Sequence, residues 1–318
     1  MQSNSTISLS IIVTVVGGKN AVRRCLNAVT PQVNFDDAEI IVPYDTCCVD
    51  VGELSDEFPK VNFHCINNLG LARKVSSYQH RLYDRRRAVG LGLARGRIVA
   101  MTEDYAVPAK DWCRQISAVH EQPYAVIGGA INNAVDRPLN WALYYCDFGR
   151  YGSPLAASAA DYISDVNVAY KREALHAVRN VWNGSYHETT VHWALRSRGE
   201  VLFIDPRMVV FEERPRIPFL KALPEKFEWG RVFAETRVNA CTFPQRLTYI
   251  VGSSVLPALL LFRVLRNLLR QRRSARQIAQ TLPLAAGLLV AWAFGEFAGY
   301  VHGPIEDDCY LTDTVPGI

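Results

Sequence analysis

Apolar runs rich in β-branched residues alternate with amphipathic stretches along the first third of the chain. Strands are predicted at Ser8 to Val16 and at Ala38 to Val42, and a helix is predicted at Ala21 to Thr30 between them. The pattern continues with a strand near Val61 to Ile66 and a helix through Arg85 to Ala94. Alternation of this kind favours an α/β fold built on a parallel, doubly wound sheet.

An acidic pair follows the next predicted strand. The run Arg97 to Met101 leads through Thr102 into Glu103 and Asp104. Ligands of open α/β sheets lie at the carboxyl ends of the strands, and Asp45 also falls at such an end. Two carboxylates there suit Mg²⁺ or Mn²⁺, because these cations take oxygen ligands and share them with substrate phosphates. The alternative interpretation is a solvated turn after a buried strand.

The stretch from about residue 125 to residue 205 is less regular. Strands are predicted at Ala125 to Gly129 and at Val201 to Ile204, and His187 to Arg198 is helical by its spacing. We find no internal repeat. With 318 residues, of which 49% are apolar, the chain can bury a substantial core.

The cysteines, the first apolar run and the net charge argue against a cysteine metal site, a signal peptide and a nucleic-acid partner. The eight cysteines show no spacing typical of a metal site, and the apolar run Ile11 to Val16 lacks the basic region that precedes it in a signal peptide. We therefore expect reduced thiols and a cytosolic location for this part of the chain. The net charge is +4, with arginines concentrated at Arg81 to Arg97 and Arg263 to Arg276. We expect no nucleic-acid partner.

Two apolar runs follow Pro244, and they predict a membrane-associated segment. The run Leu282 to Val301 approaches the roughly 20 residues of a spanning helix, whereas Leu247 to Phe262 is shorter and contains Gly252 and Pro257. Six arginines separate the runs: Arg263, Arg266, Arg270, Arg272, Arg273 and Arg276.

The positive-inside rule places this arginine-rich connector in the cytoplasm, together with the domain before it. The first run is then expected to be an interfacial or re-entrant helix, with the arginines on anionic headgroups. The second run either spans the membrane or lies in its interface. Because Glu296 interrupts this run, a pair of buried helices in a soluble domain is the alternative.

Several segments, in this order along the chain, resemble the family 2 glycosyltransferases of GT-A fold. The resemblance covers roughly Thr6 to Arg237. Ile40-Ile41-Val42-Pro43-Tyr44-Asp45 is similar to the family's strand that ends in an aspartate pair, and Arg87-Ala88-Val89-Gly90 is similar to its Arg-Asn-X-Gly helix. The resemblance implies a Rossmann-like, nucleotide-binding mixed sheet flanked by helices. It also implies that Asp45 contacts the base and that Arg87 faces the nucleotide.

The acidic pair occupies the place of the family's Asp-X-Asp-type motif. This implies that Glu103 lies near the ribose and that Asp104 binds the metal, Mg²⁺ or Mn²⁺. Tyr105 stands where many members carry a third aspartate. Trp112 fits the family's pattern either as a packing aromatic or as a contact with the sugar.

Two later segments are similar to the family's acceptor side. Ser164 to Tyr170 resembles the segment that lines the donor sugar pocket, which implies that Asp165 is a binding residue. His187-Glu188 lies at the family's Glu-Asp motif, so Glu188 is the candidate base of an inverting transfer. Members often carry a histidine after the segment that matches Asp205-Pro206-Arg207. Here Glu212 or Glu213 is the candidate substitute, or the site does without one.

The resemblance implies a metal-dependent, inverting glycosyltransferase that takes its sugar from a UDP- or GDP-sugar. We expect a catalytic domain at residues 1–240 and, at residues 241–318, membrane-associated helices with the arginine-rich connector and an acidic tail. The apolar runs favour a lipid-linked or polyprenyl-phosphate acceptor at the cytoplasmic membrane face. The alternatives are a transferase that builds a polysaccharide or other glycan chain, a non-catalytic nucleotide-binding scaffold at the membrane, and a two-carboxylate hydrolase.

Overall fold

The structure, a computed structural model, describes residues 7–67, 78–238 and 241–303. The strands of this part of the chain are β1 (Leu9–Thr14), β2 (Ala38–Asp45), β3 (Asn62–Ile66), β4 (Ile98–Glu103), β5 (Ala106–Pro108), β6 (Val126–Asn133), β7 (Ser158–Ala160), β8 (Asn167–Lys171) and β9 (Leu202–Glu212). They form one mixed sheet in the order β3-β2-β1-β4-β8-β6-β9-β5, and β7 pairs with β9.

Helices lie before, between and after these strands. They are α1 (Lys19–Val29), α2 (Tyr78–Leu93), α3 (Trp112–Val119), α4 (Pro138–Asp147), α5 (Arg172–Ala177), α6 (Arg179–Trp182), α7 (Glu188–Ser197), α8 (Phe219–Val238), α9 (Phe243–Gly252), α10 (Leu256–Arg270) and α11 (Ala275–His302). Short 3₁₀ turns occur at Thr30–Gln32, Val49–Ser55 and Gly149–Tyr151.

The prediction of a parallel sheet is right for the first four strands of the order. β1 pairs in parallel with β2 and β4, and β2 pairs in parallel with β3. All six residues of β1 are buried, as expected for a strand covered on both faces. The rest of the sheet is mixed, because β8 runs antiparallel to both β4 and β6.

The strand predicted at Val201 to Ile204 is longer in the structure, where β9 continues to Glu212. Proline lacks the N–H that a sheet ladder needs, so Pro206 cannot take part in regular pairing. Instead the ladder with β6 shifts register: Gly128 pairs with Ile204, and the next pair is Ala130 with Val209. The irregularity absorbs Pro206 and lets the strand resume.

The C-terminal helices form a layer against the part of the chain that carries the sheet. α11 runs alongside α8, and it also contacts α4 and α10. A Cβ at Gly295 would collide with the carbonyl oxygen of Phe227, which shows how closely α8 and α11 approach. By length and composition α11 could cross a membrane, and α9 with α10 would qualify as a pair bent by 65°. The predicted break of the first apolar run thus falls between α9 and α10.

Candidate active site

The carboxyl ends of β2 and β4 lie at the same edge of the sheet, because β1 lies between these strands and all three are parallel. Asp45 is the last residue of β2, and Glu103 is the last residue of β4. The structure therefore brings together the two carboxylate positions that the sequence places at strand ends.

Arg86, on α2, binds Asp45. Both side chains are buried, and the Arg86 Nε donates to the Asp45 carboxylate at 2.7 Å. The Cys47 N–H donates to the other Asp45 oxygen at 2.8 Å. Arg86 also donates to the carbonyl oxygen of Val15, which follows β1. One guanidinium thus joins the ends of two neighbouring strands, and sequence reasoning missed it.

Arg87 lies away from Asp45, at the centre of a second group of charges. Its guanidinium lies 3.0 Å from Asp84, 2.5 Å from Glu103 and 2.7 Å from Asp165. Adjacent residues of a helix face different directions, so Arg86 and Arg87 serve different carboxylates. The arginine beside Asp45 is therefore Arg86, whereas Arg87, which the resemblance implies to face the nucleotide, binds the second group.

Burial and mutual repulsion govern the pKa values of these groups. Burial disfavours the charged form of Arg87, but Asp165 and Glu103 raise its pKa above the ordinary value. Burial raises the pKa of Glu103, against the effect of Arg87 and with that of Asp165. Burial likewise raises the pKa of Asp165, and Arg87 opposes it. A charged arginine therefore holds two carboxylates that are reluctant to ionise.

Asp84 is a fourth member that the sequence analysis did not single out. Burial raises its pKa to about 7, while the charges of His187 and Arg87 oppose the rise. Its backbone carbonyl oxygen accepts the N–H of Tyr186 at 3.0 Å, which ties α2 to the segment before α7. Its position three residues before Arg87 on a helix was the available signal.

Glu188 is the first residue of α7, and His187 is the helix N-cap. Burial opposes the ionisation of Glu188, but the charges of His187 and Arg87 bring its pKa below the ordinary value. The N-terminus of a helix also favours a negative charge. Glu188 is thus an ionised carboxylate, as a general base must be, and it feels the charge of the same arginine that binds Glu103 and Asp165.

Asp104 is fully buried, and the loop between β1 and α1 surrounds its carboxylate. Backbone N–H groups of Val16, Gly17 and Gly18 donate to Oδ2 at 2.9 to 3.1 Å, and Gly17 also donates to Oδ1 at 3.0 Å. Burial raises the pKa of Asp104 to about 6, against these hydrogen bonds. The Tyr105 ring lies so close to Gly17 that a Cβ there would collide with it.

Gly18 is the N-cap of α1, and its φ of 85° is a conformation that favours glycine. The glycine pair thus shapes a loop whose amides point at one carboxylate. Within the part of the chain that the structure describes, the Oδ1 of Asp104 accepts one N–H, so it keeps lone-pair capacity for a cation.

The charge of Glu212 interacts with the charges of Glu103 and Asp104. The Oε2 of Glu212 is buried and makes no hydrogen bond with any residue the structure describes. Burial raises the pKa of Glu212 to about 8, and the charges of Glu103 and Asp104 add to the rise. A cation would relieve this repulsion.

The donor chemistry therefore fits a divalent metal, although no three His, Cys, Asp or Glu side chains within residues 7–67, 78–238 and 241–303 are arranged to hold one. An ion that arrives with a diphosphate needs only one or two carboxylates.

Trp112 lies in the core and not beside the carboxylates. It is fully buried, and its Nε1 donates to the Asn167 side chain at 2.9 Å. Asn167 in turn donates to the carbonyl oxygens of Ala130 and Met208. Trp112 is therefore a packing residue, one of the two alternatives that the sequence left open.

A cavity of about 440 Å³ lies elsewhere, between the first turns of α4 and α11. Asp136, Trp141 and Arg276 contribute to its lining, and none of the carboxylates described above does. We place the site at the sheet edge because the convergent charged groups are there.

Comparison with known proteins bears on the fold. No protein-family model matches the sequence, and no curated protein matches it. Among solved structures, the fold is similar to that of the mannosyltransferase PcManGT from Pyrobaculum calidifontis in complex with GDP-Man and Mn²⁺. The TM-score is 0.51 at 15% identity, over 91% of this chain and 86% of that one. The likeness shows that the chain shares a glycosyltransferase fold, in agreement with the mixed sheet flanked by helices.

Proposed function

We infer that the chain is an inverting glycosyltransferase of the GT-A type, similar to family 2, that uses a UDP- or GDP-sugar donor. One observation carries this inference: at the carboxyl ends of the strands Arg87 forms ion pairs with Glu103 and Asp165, and its charge also lowers the pKa of Glu188 at the start of α7. The similar structure from Pyrobaculum calidifontis holds GDP-Man and Mn²⁺, which supports a nucleotide-sugar donor and a divalent metal. Its low identity leaves the sugar and the base open.

The two ends of the site have separate tasks in this proposal. Asp45, fixed by Arg86, borders the base of the nucleotide, while Glu103 lies towards the ribose. Arg87 keeps Glu103 and Asp165 in place, and Asp165 borders the donor sugar.

Glu188 takes the proton of the attacking acceptor group, either a hydroxyl of a lipid-linked sugar or the P–OH of a monoanionic polyprenyl phosphate. The bond from that oxygen to the anomeric carbon forms as the bond to the leaving diphosphate breaks on the opposite side. The lowered pKa of Glu188 keeps it ready to accept that proton near neutral pH.

A divalent metal would be held by Asp104, with Glu103 and Glu212 nearby and phosphate oxygens completing its ligands. When bound, it would neutralise charge on the leaving diphosphate. The orphaned Oε2 of Glu212 and the spare capacity of the Asp104 Oδ1 support this assignment.

The proposed acceptor is lipid-linked, either a polyprenyl phosphate or a related molecule, at the cytoplasmic membrane face. The apolar helices α9, α10 and α11 support it, because a hydrophobic acceptor and a membrane-seated enzyme meet in the same plane. A non-catalytic nucleotide-binding scaffold is the second candidate. It is favoured by the amide contacts that engage Asp104 before any metal binds.

Calorimetric titration of the detergent-extracted full chain with UDP-, GDP- and sugar-nucleotide ligands, with and without Mn²⁺, tests the proposal. We expect Mn²⁺-dependent binding of one nucleotide class, lost in Asp104→Ala and weakened in Glu103→Gln, and kept in the exposed control Asp111→Ala. Turnover of the bound sugar nucleotide with a polyprenyl phosphate would support transfer. Binding without any transfer to lipid or glycan acceptors would favour the scaffold, and no binding would reject the donor site.

A further inference from the structure

An exposed apolar row follows α9 and α10 across the 65° bend between them. Its members recur every four or three residues as far as Phe262, and the last follows seven residues later: Phe243, Leu247, Val251, Val255, Leu259, Phe262 and Leu269. Each is more than two-fifths exposed, and Phe243 reaches 79%. Large apolar residues that are scattered singly need no explanation, but an aligned row marks an interaction surface.

A second exposed row lies on α11, at Val290, Phe294, Phe297 and Val301. The two rows meet at one end, where Phe243, Leu247 and Val301 line an apolar cleft of about 270 Å³. We call the two rows together the apolar face.

The charge beside this face indicates what covers it. Arg263 and Arg266 are exposed and lie on α10 next to Leu259 and Phe262. An apolar helix face bordered by arginines matches an anionic lipid surface, where the apolar side chains enter the acyl boundary and the guanidinium groups meet headgroup phosphates. A second protein copy would bury these arginines against their equivalents.

Not all of the arginine-rich connector is free for lipid. Arg270 donates to the carbonyl oxygens of Gly149 and Gly152 at 3.2 and 3.3 Å, and the Arg273 guanidinium lies 3.9 Å from the centre of the Trp141 ring. These contacts fix the end of α10 and the start of α11 to the part of the chain that carries the sheet. Four further arginines of the connector are exposed: Arg263, Arg266, Arg272 and Arg276. Of these, Arg263 and Arg266 are the two on α10 beside the apolar face.

The neighbours of α11 oppose a transmembrane path for it. α8 lies along α11, and backbone atoms meet where Gly230 faces Trp292 and where Gly299 faces Arg231. α8 carries seven charged residues: Lys221, Glu225, Lys226, Glu228, Arg231, Glu235 and Arg237. A spanning α11 would carry these charges into hydrocarbon or would have to leave α8.

We propose that the apolar face binds one leaflet of an anionic membrane, and that α11 lies against the protein without crossing the bilayer. The connector and the sequence after Gly303 are then on the same side. The inference deepens the membrane part of the proposed function and rests on it for the acceptor, but its test needs no transfer activity.

This orientation also explains how a lipid acceptor reaches the site. Arg270 of α10 donates to the carbonyl oxygen of Gly149 in the 3₁₀ turn Gly149–Tyr151. Burial raises the pKa of Tyr151 to about 12; Arg150 opposes the rise, and the charges of Glu188 and Asp165 add to it. The turn therefore contacts α10 and lies within the range of the charge of the proposed base. An acceptor phosphate at the headgroup level would meet the site at this turn.

Vesicle sedimentation of the full chain, diluted out of detergent, tests the face. Binding to vesicles that contain phosphatidylglycerol is expected to fall about tenfold in Leu259→Glu and in Phe262→Glu. A similar fall of roughly tenfold is expected in the pair Arg263→Gln and Arg266→Gln, but only on anionic vesicles. Val49→Glu is the matched control, because Val49 is 61% exposed on the opposite half and Phe262 is 62% exposed.

Unchanged binding in the α10 variants would overturn the proposal. So would light scattering that shows a dimer which Phe262→Glu dissociates while vesicle binding persists, because a second copy would then cover the face. Thermal unfolding of each variant in detergent shows whether the substitution has only damaged the fold. Loss of donor binding with intact vesicle binding would reject the proposed function and leave this inference standing.

The path of α11 is tested in sealed vesicles with a membrane-impermeant maleimide and peptide mapping by mass spectrometry. Labelling of native Cys309 is compared with that of a cysteine introduced by Arg276→Cys. We expect both to be labelled from the side to which the protein was added. Protection of Cys309 alone would mean that α11 crosses, and it would overturn this part of the proposal.

Discussion

The Arg87 guanidinium lies 2.7 Å from the Asp165 carboxylate, so one ion pair fastens α2 to the loop before β8. The same arginine binds Glu103 and Asp84, and its side chain is 5% exposed. A single buried cation thus holds carboxylates from three separate segments of the chain. Arg87 therefore holds these carboxylates together in the site.

Replacing Arg87 by Gln would leave three buried carboxylates without their cation. We expect the free energy of unfolding to fall by about 3 to 5 kcal/mol, the range for breaking a buried pair. Arg87→Lys should restore part of the loss, because it keeps the charge without the planar fork. Urea titration measures both. Arg114→Gln is the control. This exposed arginine forms a surface salt bridge with Asp111, so its replacement should change the free energy of unfolding by at most about 1 kcal/mol.

Glu188→Gln is expected to lower kcat about 10²- to 10⁴-fold, because a neutral amide cannot take the acceptor proton. Binding of the donor, measured by calorimetry, should stay the same. The exposed Glu173→Gln on α5 serves as control and should leave both quantities unchanged. Full activity in Glu188→Gln would remove this residue as the base, and an anomer assay by NMR on the wild-type product checks inversion.

Asp104→Asn should destabilise the protein even in EDTA and without nucleotide. With its amide oxygen at the Oδ2 position, the new side chain would still accept from Val16, Gly17 and Gly18, but its NH₂ group would face the Gly17 N–H and the negative charge that these three groups bind would be lost. We expect a loss of about 1 to 3 kcal/mol by thermal unfolding. Asp111→Asn is the matched surface variant. An equal melting temperature for wild type and Asp104→Asn would mean that the loop does not depend on this carboxylate.

His192, on α7, predicts a loss of stability in acid. Its Nε2 lies 2.9 Å from the Tyr170 hydroxyl, and burial lowers its pKa to about 4, with Glu188 raising and His187 lowering it. The unfolded chain binds a proton near pH 6.5 and the folded chain only near pH 4, so stability should fall as the pH drops through this window.

At pH 4 the titration of His192 lowers the free energy of unfolding by about 3 kcal/mol relative to neutral pH. His192→Gln keeps a hydrogen-bonding group but does not titrate, so its urea midpoint should depend less steeply on pH. Parallel pH profiles of the two proteins would contradict the assignment.

A pair of glycines tests the contact between α8 and α11. Gly295→Ala places a methyl group against the Phe227 carbonyl oxygen, and we expect a loss of about 1 to 3 kcal/mol. Gly92→Ala, near the end of α2, meets no atom within 4 Å and should stabilise by roughly 0.5 to 1 kcal/mol through helix propensity. Opposite signs in chemical denaturation would confirm the close approach. Equal effects would show that α11 does not press on α8.

The sequence by itself determined the local elements. Alternating patterns predicted β1, α1 and β2, because strand and helix periodicity is written in neighbouring residues, and strand ends placed Asp45 and Glu103 at the edge of the sheet. The spacing also placed Glu188 near the start of a predicted helix, and the resemblance made it the candidate base. The arginine-rich connector and both apolar runs were visible as composition.

Tertiary structure decided the rest. Whether Arg86 or Arg87 meets Asp45 depends on how α2 is rotated against the sheet, and that rotation follows from packing across distant segments. Asp84 became a member of the site for the same reason, whereas Glu212 was already one of two candidates from the sequence. An apolar run of the length of α11 suits a bilayer or a protein core equally well, and our proposal that α11 does not cross rests on its packing against the charged helix α8, which no local pattern encodes.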